Sequence, residues 1–118
     1  MKKLEFNPTN LFNEDMGRLA SLDQAIVDEA HEAIDLLCEL HELPEEFNDH
    51  KLTRKYEGYR EFHIRDTTKG DFPSDINDVV VIYRIVERKL IVIGARIGSH
   101  NRLFRGQGNS KKYRKSKH

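Results

Sequence analysis

Four ionisable side chains in the second half of the sequence have the chemistry of acid–base catalysis: His50, His63, Asp78 and His100. Histidine is the side chain best suited to move protons near neutral pH. A protein can cleave RNA with such groups alone. A base removes the proton of the ribose 2′-hydroxyl, this oxygen attacks the phosphorus, and an acid protonates the leaving 5′-oxygen. The residue types therefore predict a candidate site for metal-independent cleavage of RNA.

Such a reaction builds negative charge on the phosphate, which cationic groups can stabilise. Arg60 and Arg96 lie on predicted strands of the same half and could each bind a phosphate through two hydrogen bonds. Other cations and aromatic rings could attract the RNA backbone or stack an unpaired base. These further candidates are Lys51, Lys55, Tyr56 and Phe104.

The spacing of these residues is not specific by itself. His50, His63 and His100 are far apart in sequence and match no compact metal-binding motif, so neither a metal ion nor another cofactor is predicted. Each histidine could equally be a partly exposed polar residue without a role. Asp78 could be a turn residue before a strand, and Phe104 could be a core residue. These alternatives remain open from composition and spacing alone.

The size and composition of the chain predict one globular domain. It has 118 residues, of which 37% are hydrophobic and 34% are charged. We expect the folded domain to cover residues 1–104. Residues 105–118 contain six basic residues and no acidic residue, and we expect a flexible tail there. Cys38 is the only cysteine, which excludes an internal disulfide and a cysteine metal cluster.

The sequence also carries an expectation about location. Its first ten residues lack the apolar run of a signal peptide. The longest apolar run, Val79–Tyr83, is far shorter than the roughly 20 residues that a membrane-spanning helix needs. We therefore expect a soluble, cytoplasmic protein without a membrane partner.

The zero net charge of the chain hides a strong asymmetry. Residues 1–50 contain 13 acidic and 3 basic residues, whereas residues 51–118 contain 7 acidic and 17 basic residues. Asymmetry of this kind is typical of a chain with one face turned to a polyanion. A chance division of solvated charges is the alternative. The division coincides with the change from helix-like to strand-like sequence, which favours the first interpretation.

The N-terminal part predicts a strand followed by a helix. Lys3–Phe6 alternates in polarity, as a strand does. Asn7 and Pro8 then have the form of a helix start, with Asn7 as the cap and Pro8 in the first turn. Apolar residues recur at helical spacing through about Ala20.

A second helix is predicted from Ser21, because Ser21 and Gln24 have the spacing of a capping box. It carries an apolar stripe that includes Cys38, and it must end before Pro44. His31 lies on its acidic face and is assigned no function. Two such helices joined by a short turn form a hairpin that can cover one face of a sheet.

The second half predicts three strands. They are Tyr59–Arg65, Val79–Val86 and Leu90–Ile97, with a loop at Asp66–Asn77 and a tight turn at Glu87-Arg88. The β-branched residues of Val79–Val86 indicate a central strand. The predicted order is β-α-α-β-β-β, an α+β fold in which a helical hairpin covers one face of an antiparallel sheet.

Four ordered motifs carry a family resemblance. In chain order they are NDHKL (48–52), YEGYREFHI (56–64), DVVVIYRI (78–85) and RIGSHNRLF (96–104). This series resembles the YafQ family of ribosome-dependent mRNA interferases, in the RelE/ParE toxin superfamily. Members carry a D-H-x-L segment, a G-x-R-x-x-H strand, a D-W-apolar-I-Y strand and an R-x-G-[ST]-H-x-x-L-F ending.

The resemblance implies roles for individual residues. His100 would be the general acid, and Asp78 or His50 the proton acceptor. His63 would bind or orient the phosphate, and Phe104 would position the base. Arginines that stabilise phosphate charge across the wider superfamily match Arg60 and Arg96.

The resemblance also implies a fold, a substrate and partners. The fold would be the RelE-like microbial ribonuclease fold, and the substrate would be mRNA in the A site of the 70S ribosome. The protein partner would be a DinJ- or RelB-like antitoxin of a type II toxin–antitoxin pair. Two alternatives are a ParE-like toxin that inhibits gyrase without nuclease activity and a non-catalytic RNA-binding module.

The chain departs from the family pattern at two places. Val79 follows Asp78 where the family has Trp, and the segment between His63 and Asp78 is longer than usual. The alignment of Asp78 therefore depends on the strand that follows it. The basic tail after Phe104 is a further extension.

Overall fold

A computed structural model describes residues 2–105 of the chain. The predicted tail beyond Arg105 lies outside these described residues. Five strands, three α-helices and three short 3₁₀ turns follow one another in this part. The strands and α-helices are β1 (Glu5–Pro8), α1 (Asn10–Leu22), α2 (Gln24–Leu40), β2 (His50–Lys51), β3 (Arg60–Arg65), β4 (Val79–Val86), β5 (Ile91–Gly98) and α3 (His100–Leu103).

The five strands form one sheet in the order β1-β5-β4-β3-β2. The pairs β2–β3, β3–β4 and β4–β5 are antiparallel, but β1 lies parallel to β5. The α+β class and the helical hairpin agree with the sequence prediction, whereas the prediction of a purely antiparallel sheet is wrong at this edge. The physical reason is that no local pattern encodes which strand pairs with an N-terminal strand that precedes two helices.

The three strands of the second half were predicted to within one residue at each end. The tight turn predicted at Glu87-Arg88 is a 3₁₀ turn, Glu87–Lys89, whereas the strand β2, the short helix α3 and the other two 3₁₀ turns were not predicted. A strand of two residues is too short to leave a periodic signal. The segment between β3 and β4, predicted as a loop, contains no strand or helix.

The start of α1 differs from the prediction by two residues. Pro8 ends β1, and the cap is Thr9, whose hydroxyl accepts a hydrogen bond from the backbone N–H of Phe12 at 3.1 Å. The same hydroxyl donates to the carbonyl of Ala95 in β5 at 3.0 Å. Proline is tolerated in β1 because this is an edge strand. Pairing with β5 therefore extends the strand past Asn7, the residue predicted to cap the helix.

The start of α2 also differs from the prediction. Ser21 belongs to α1, where its hydroxyl donates to the carbonyl of Arg18. The cap of α2 is Asp23, whose carboxylate accepts from the N–H of Ala25 at 3.0 Å. Ser21 and Gln24 have the spacing of a capping box, but Ser21 does not cap α2.

The main core lies between the helical hairpin and one face of the sheet. Its helical side includes the predicted apolar stripe of α2 together with Cys38, which is buried and free. Its sheet side comes from alternate residues of the central strands, such as Phe62, Val81 and Ile97. No helix within residues 2–105 is long and apolar enough to cross a membrane.

A second, smaller core covers the opposite face of the sheet. It contains Val80 and Ile82 of β4 together with Leu52, Tyr56, Leu103 and Phe104. Because β4 is covered on both faces, five consecutive residues of it are buried, which explains its continuous apolar sequence. This second core supports the segment after β2 and the helix α3, and both of these carry residues of the candidate site.

Candidate active site

Three histidines surround one carboxylate, that of Glu61. The Oε2 atom of Glu61 lies 3.1 Å from Nε2 of His50, 3.1 Å from Nε2 of His63 and 3.2 Å from Nε2 of His100. Glu61 is almost fully buried, with 3% of its surface exposed. The three histidines singled out from the sequence therefore lie together on one side of the sheet. We call these four residues the imidazole cluster.

The strands explain why the cluster forms. Side chains two residues apart in a strand point to the same face of the sheet. Glu61 and His63 of β3 therefore lie on the same face. His50 of β2 is paired directly with Glu61. His63 is paired with Val80, and Val80 is paired with Gly98 at the end of β5. The chain turns into α3 just after Gly98 and places His100 beside His63, with 5.2 Å between the ring centroids.

Each imidazole is also held at its other nitrogen. Nδ1 of His50 lies 2.9 Å from the carbonyl oxygen of Asn48. Nδ1 of His63 lies 2.5 Å from a carboxylate oxygen of Asp66, and Nδ1 of His100 lies 2.8 Å from one of Asp78. A proton on each Nδ1 can thus be donated outward. This arrangement fixes the ring planes and directs all three Nε2 atoms to the centre of the cluster.

The cluster keeps Glu61 ionised. Burial by itself would raise the pKa of this carboxyl, but hydrogen bonds from the three imidazoles outweigh burial and lower the pKa far below its usual value. Burial lowers the pKa of His100, yet its hydrogen bonds to Asp78 and Glu61 prevail and raise the pKa to about 9. His100 is therefore protonated at neutral pH.

The pKa values of the other two imidazoles are raised as well. For His50 the main cause is the hydrogen bond to Glu61, which outweighs partial burial. For His63 burial lowers the pKa, but the hydrogen bonds to Glu61 and Asp66 raise it by more. His50 is the most accessible of the three, because its side chain is 45% exposed against 10% for His63 and 16% for His100.

Asp78 lies beside the cluster although the preceding loop is long. One of its carboxylate oxygens faces Nδ1 of His100, and the other accepts a hydrogen bond from the backbone N–H of His100 at 2.8 Å. Asp78 is buried, with 4% of its surface exposed. Both oxygens are thus committed to orienting His100.

The two candidate stacking residues, Phe104 and Tyr56, lie in the second core. The ring of Phe104 stacks on that of His100 at 5.8 Å and meets the ring of Tyr56 edge to face at 5.7 Å. Phe104 is 4% exposed and Tyr56 is 8% exposed. Little of either ring is therefore exposed to a nucleotide base. Phe104 instead packs against the ring of His100.

The two candidate arginines are paired with carboxylates outside the cluster. Arg60 precedes Glu61 in β3 and so faces the opposite side of the sheet, where its Nε donates to Asp49 at 2.6 Å. Arg96 donates from Nε and Nη2 to the two carboxylate oxygens of Asp15 at 2.7 and 3.0 Å. The structure does not bring either guanidinium into the cluster.

The two candidate lysines are exposed and closer in sequence to the cluster. Lys51 follows His50 in β2, and Lys55 lies in the short turn after β2 with its Nζ 5.5 Å from the ring centre of Tyr56. Both side chains can attract a phosphate backbone without being part of the cluster itself.

A groove of about 440 Å³ opens beside His63, between α2 and the turn at residues 45–47. Four carboxylate residues line it together with apolar side chains, and they would repel a phosphate. An anionic ligand would therefore be disfavoured on this side of the cluster, whereas His50 is exposed outside the groove. The acidic residues of this groove are Glu29, Glu32, Glu46 and Asp66.

Sequence reasoning missed two residues of the site, Glu61 and Asp66. Glu61 occurs at the position before Phe62 in the G-x-R-x-x-H motif, where it was treated as variable. A signal was present, since Glu61 and His63 are polar residues two apart on one face of a strand. Asp66 lies in the longer loop, for which the family pattern gave no guide.

The cluster also has the donor chemistry of a metal site. Ligand atoms of His50, Glu61 and His63 lie within 4.8 Å of one another. Imidazole nitrogens suit copper and zinc, and ligating histidines commonly donate from the other ring nitrogen to an acceptor, as these do. Folding thus creates a compact group that the linear spacing of the residues did not reveal.

Comparison with known proteins gives a family match over most of the chain. Residues 4–105 match the model of a family described as the bacterial toxin YafQ of type II toxin–antitoxin systems. No curated protein is similar enough in sequence to match.

Solved structures of toxins share the fold. YafQ from E. coli strain BL21(DE3) has a TM-score of 0.66 at 21% identity, covering 86% of this chain and 99% of that one. YafQ in the E. coli DinJ–YafQ complex has a TM-score of 0.65 at 21% identity, covering 86% and 98%. A copper-bound mutant toxin from Helicobacter pylori has a TM-score of 0.62 at 28% identity, covering 86% and 99%. The likeness to YafQ confirms the predicted RelE-like fold.

Proposed function

Because the chain belongs to the YafQ family of type II toxins, we propose that it is an endoribonuclease that cleaves messenger RNA without a metal ion. The observation that carries this proposal is the imidazole cluster, in which three Nε2 atoms converge on one ionised carboxylate. Toxins that act only by binding need no such array. Together, these groups provide an acid, a base and positive charge for a phosphate.

His100 acts as the general acid. Its raised pKa of about 9 keeps Nε2 protonated at neutral pH, and Asp78 fixes the ring from the other side. When the bond between phosphorus and the 5′-oxygen breaks, this proton passes to the 5′-oxygen and leaves a 5′-hydroxyl end. A positioned acid of this kind contributes roughly 10²–10⁴-fold to the rate.

His50 acts as the proton acceptor. Both oxygens of Asp78 are occupied by His100, and Glu61 is buried under three imidazoles, so neither carboxylate is open to a ribose. His50 is the accessible member of the cluster. In its unprotonated form, Nε2 takes the proton of the 2′-hydroxyl while the 2′-oxygen forms the new bond to phosphorus. The second product is a 2′,3′-cyclic phosphate.

His63 and Glu61 shape the site between the acid and the base. His63 lies between His50 and His100, with ring centroids 5.9 and 5.2 Å away, and its raised pKa favours the cationic form that binds the phosphate. Glu61 balances the charge of the imidazoles before RNA arrives. When a phosphate binds, it competes with Glu61 for the same Nε2 protons.

The remaining candidates have supporting roles. Phe104 acts through His100 by stacking on it, and Lys51 and Lys55 attract the RNA backbone. Arg60 and Arg96 are paired with carboxylates and stabilise the scaffold.

The substrate and partners that we propose follow from the family. We propose that the chain cuts mRNA in the ribosomal A site and that an antitoxin neutralises it. E. coli YafQ has been crystallised as a complex with DinJ. An antitoxin similar to DinJ or RelB, encoded next to this chain, would cover the imidazole cluster.

A metal ion is not part of the proposed reaction. The H. pylori toxin was crystallised with copper, and His50, Glu61 and His63 of this chain fit such an ion. Bound there, an ion would occupy the nitrogen lone pairs that proton transfer requires. Metal binding is therefore expected to compete with cleavage.

Primer extension on mRNA under translation tests the proposed function. The wild-type chain, treated with EDTA and then freed of the chelator before the assay, should cut within codons at an unchanged rate. His100→Ala and His100→Gln should each lose about 10²-fold or more. Thermal melting of the same samples confirms that both variants fold. Full cleavage by both folded variants would refute the assigned acid, and loss of cleavage after EDTA treatment of the chain alone would favour a metal site. Growth arrest without any mRNA cuts would favour a gyrase inhibitor.

A further inference from the structure

The long segment between β3 and β4, residues 66–77, contacts the imidazole cluster at one end and the residue before His100 near the other. At the first end Asp66 lies 2.5 Å from Nδ1 of His63. Near the other end Asp75 accepts a hydrogen bond from the hydroxyl of Ser99 at 2.9 Å. Ser99 directly precedes His100. The segment thus contacts His63 directly and contacts the residue next to His100.

Asp75 joins three separate parts of the molecule. One carboxylate oxygen accepts from Ser99, and the other lies 3.4 Å from Nη1 of Arg18 in α1. The same oxygen lies 3.9 Å from Nη2 of Arg102 in α3. One side chain therefore connects the long segment to α1 and to the helix that carries His100.

The helix α3 depends on such external contacts. It has four residues, His100–Leu103, and a helix this short does not hold its orientation by its own hydrogen bonds. Ser99 is its cap, accepting from the N–H of Arg102 at 3.1 Å, and Ser99 is 2% exposed. Fixing the Ser99 hydroxyl therefore holds the first turn of α3, from which the His100 side chain reaches Asp78.

The segment is ordered by its own hydrogen bonds. The side-chain oxygen of Asn77 accepts from the N–H of Ser74 at 2.8 Å and from the hydroxyl of Thr67 at 3.1 Å. The hydroxyl of Ser74 accepts from the N–H groups of Ile76 and Asn77, each at 3.2 Å. These bonds close the turn around Asp75, so its carboxylate is presented to Ser99 in a defined direction.

We propose that residues 66–77 brace the active site and that Asp75 is a positioning residue, which acts through Ser99 to hold His100. The inference rests on the proposed function, because His100, the residue that Asp75 positions, is the proposed general acid. A segment that was only a surface insertion would not place a carboxylate between two arginines and the buried cap of the catalytic helix. The structure thus gives a role to the part of the chain that departs most from the family pattern.

Steady-state cleavage of ribosome-bound mRNA by Asp75→Ala tests the brace, with Asp71→Ala as the control. Asp71 is an exposed aspartate of the same segment. We expect Asp75→Ala to lower kcat about tenfold or more while KM stays within about twofold, since a misplaced acid affects the transition state and not RNA binding. Asp71→Ala should match the wild type. An unchanged kcat in Asp75→Ala would overturn the proposal, whatever its melting temperature.

Two further measurements separate positioning from folding and from function. Asp75→Asn keeps an acceptor for Ser99 and should restore most of the kcat that Asp75→Ala loses. In proton NMR, the Nδ1–H signal of His100, assigned by its absence in His100→Gln, should broaden in Asp75→Ala and stay sharp in Asp71→Ala. A sharp, unshifted signal in Asp75→Ala would contradict the brace. If the wild type cuts no RNA, the proposed function fails, but this signal still decides whether Asp75 holds His100.

Discussion

At the scale of single residues, the site consists of side chains that have ordinary roles when taken one at a time. Residue type was enough to select His50, His63, Asp78 and His100, because few side chains transfer protons near neutral pH. Residue type could not show that their nitrogen atoms meet at Glu61. That meeting depends on strand pairing and on the turn into α3, which bring together residues 11 to 39 positions apart in the chain.

The accessible histidine gives a prediction at this scale. His50→Ala should slow mRNA cleavage by about 10²-fold or more, because the 2′-hydroxyl loses its proton acceptor. His31→Ala, at an exposed position of α2, is the matched control and should cleave at the wild-type rate. Single-turnover rates on programmed ribosomes provide the comparison. Equal rates for His50→Ala and His31→Ala would remove His50 from the mechanism.

The two arginines selected from the sequence have carboxylate partners in the structure. Arg60 and Arg96 were selected because a guanidinium suits a phosphate. In the structure each binds a carboxylate from the acidic first half of the chain, Asp49 or Asp15. Asp15 also accepts a hydrogen bond from the backbone N–H of Ile97. Ile97 lies in the part of β5 that is not paired with β1. Composition alone does not separate an arginine that binds RNA from one that closes a sheet edge.

At the scale of elements, the strongest local signals gave the most accurate predictions. The strands β3, β4 and β5 have alternating or continuous apolar patterns, and their predicted ends agree with the structure to within one residue. The starts of α1 and α2 were predicted from cap residues alone, and both helices begin later in the structure than predicted. Tertiary contacts decided them, since Thr9 bonds to β5 as well as to its own helix.

The pairing of β1 with β5 gives a prediction at this scale. A Cβ atom added at Gly94 would lie 2.5 Å from the Phe6 ring and 3.2 Å from that of Phe12. Gly94→Ala should therefore reduce the free energy of unfolding by about 1–3 kcal/mol, as overpacking does. Gly17 lies at an exposed position of α1, where no atom lies within 4 Å of the added carbon. Gly17→Ala should therefore raise the free energy of unfolding by about 0.5–1 kcal/mol.

Urea denaturation of the two glycine variants measures both changes. The contrast matters more than either value, because both substitutions add the same methyl group. If Gly94→Ala were as stable as the wild type, the close packing of Phe6 and Phe12 over β5 would be wrong.

At the scale of the whole molecule, the sequence predicted the α+β class, and the family match confirms the toxin assignment. The prediction of a purely antiparallel sheet was wrong at one edge. The prediction of a covering layer on one face of the sheet left out the other face. The edge strand β1 is parallel to β5, and a second core lies on the face that carries the imidazole cluster. Both features arise from contacts between distant segments, which local periodicity does not encode.

The opposite charges of the two halves also meet within the described fold. The guanidinium of Arg65 in β3 binds Glu29 at 2.7 Å and Asp23 at 3.1 Å, both from the acidic first half. Part of the charge asymmetry therefore holds the helical hairpin to the sheet. Lys51 and Lys55 are exposed, and under the proposed function they attract the RNA backbone.

We propose that imidazoles organised by Glu61 perform the acid–base chemistry. The decisive measurement is the pH dependence of the cleavage rate, in single turnover, for the wild type and Glu61→Gln. His100 loses its proton as pH rises through about 9, so the wild-type rate should fall above that pH. His50 must be unprotonated and its pKa is raised, so the rate should also fall toward acidic pH.

Glu61→Gln removes the negative charge that raises both pKa values, so both limbs of the profile should move to lower pH and the maximum rate should decrease. A wild-type rate that is independent of pH across the neutral and alkaline range would contradict the account. So would a profile that Glu61→Gln leaves unchanged.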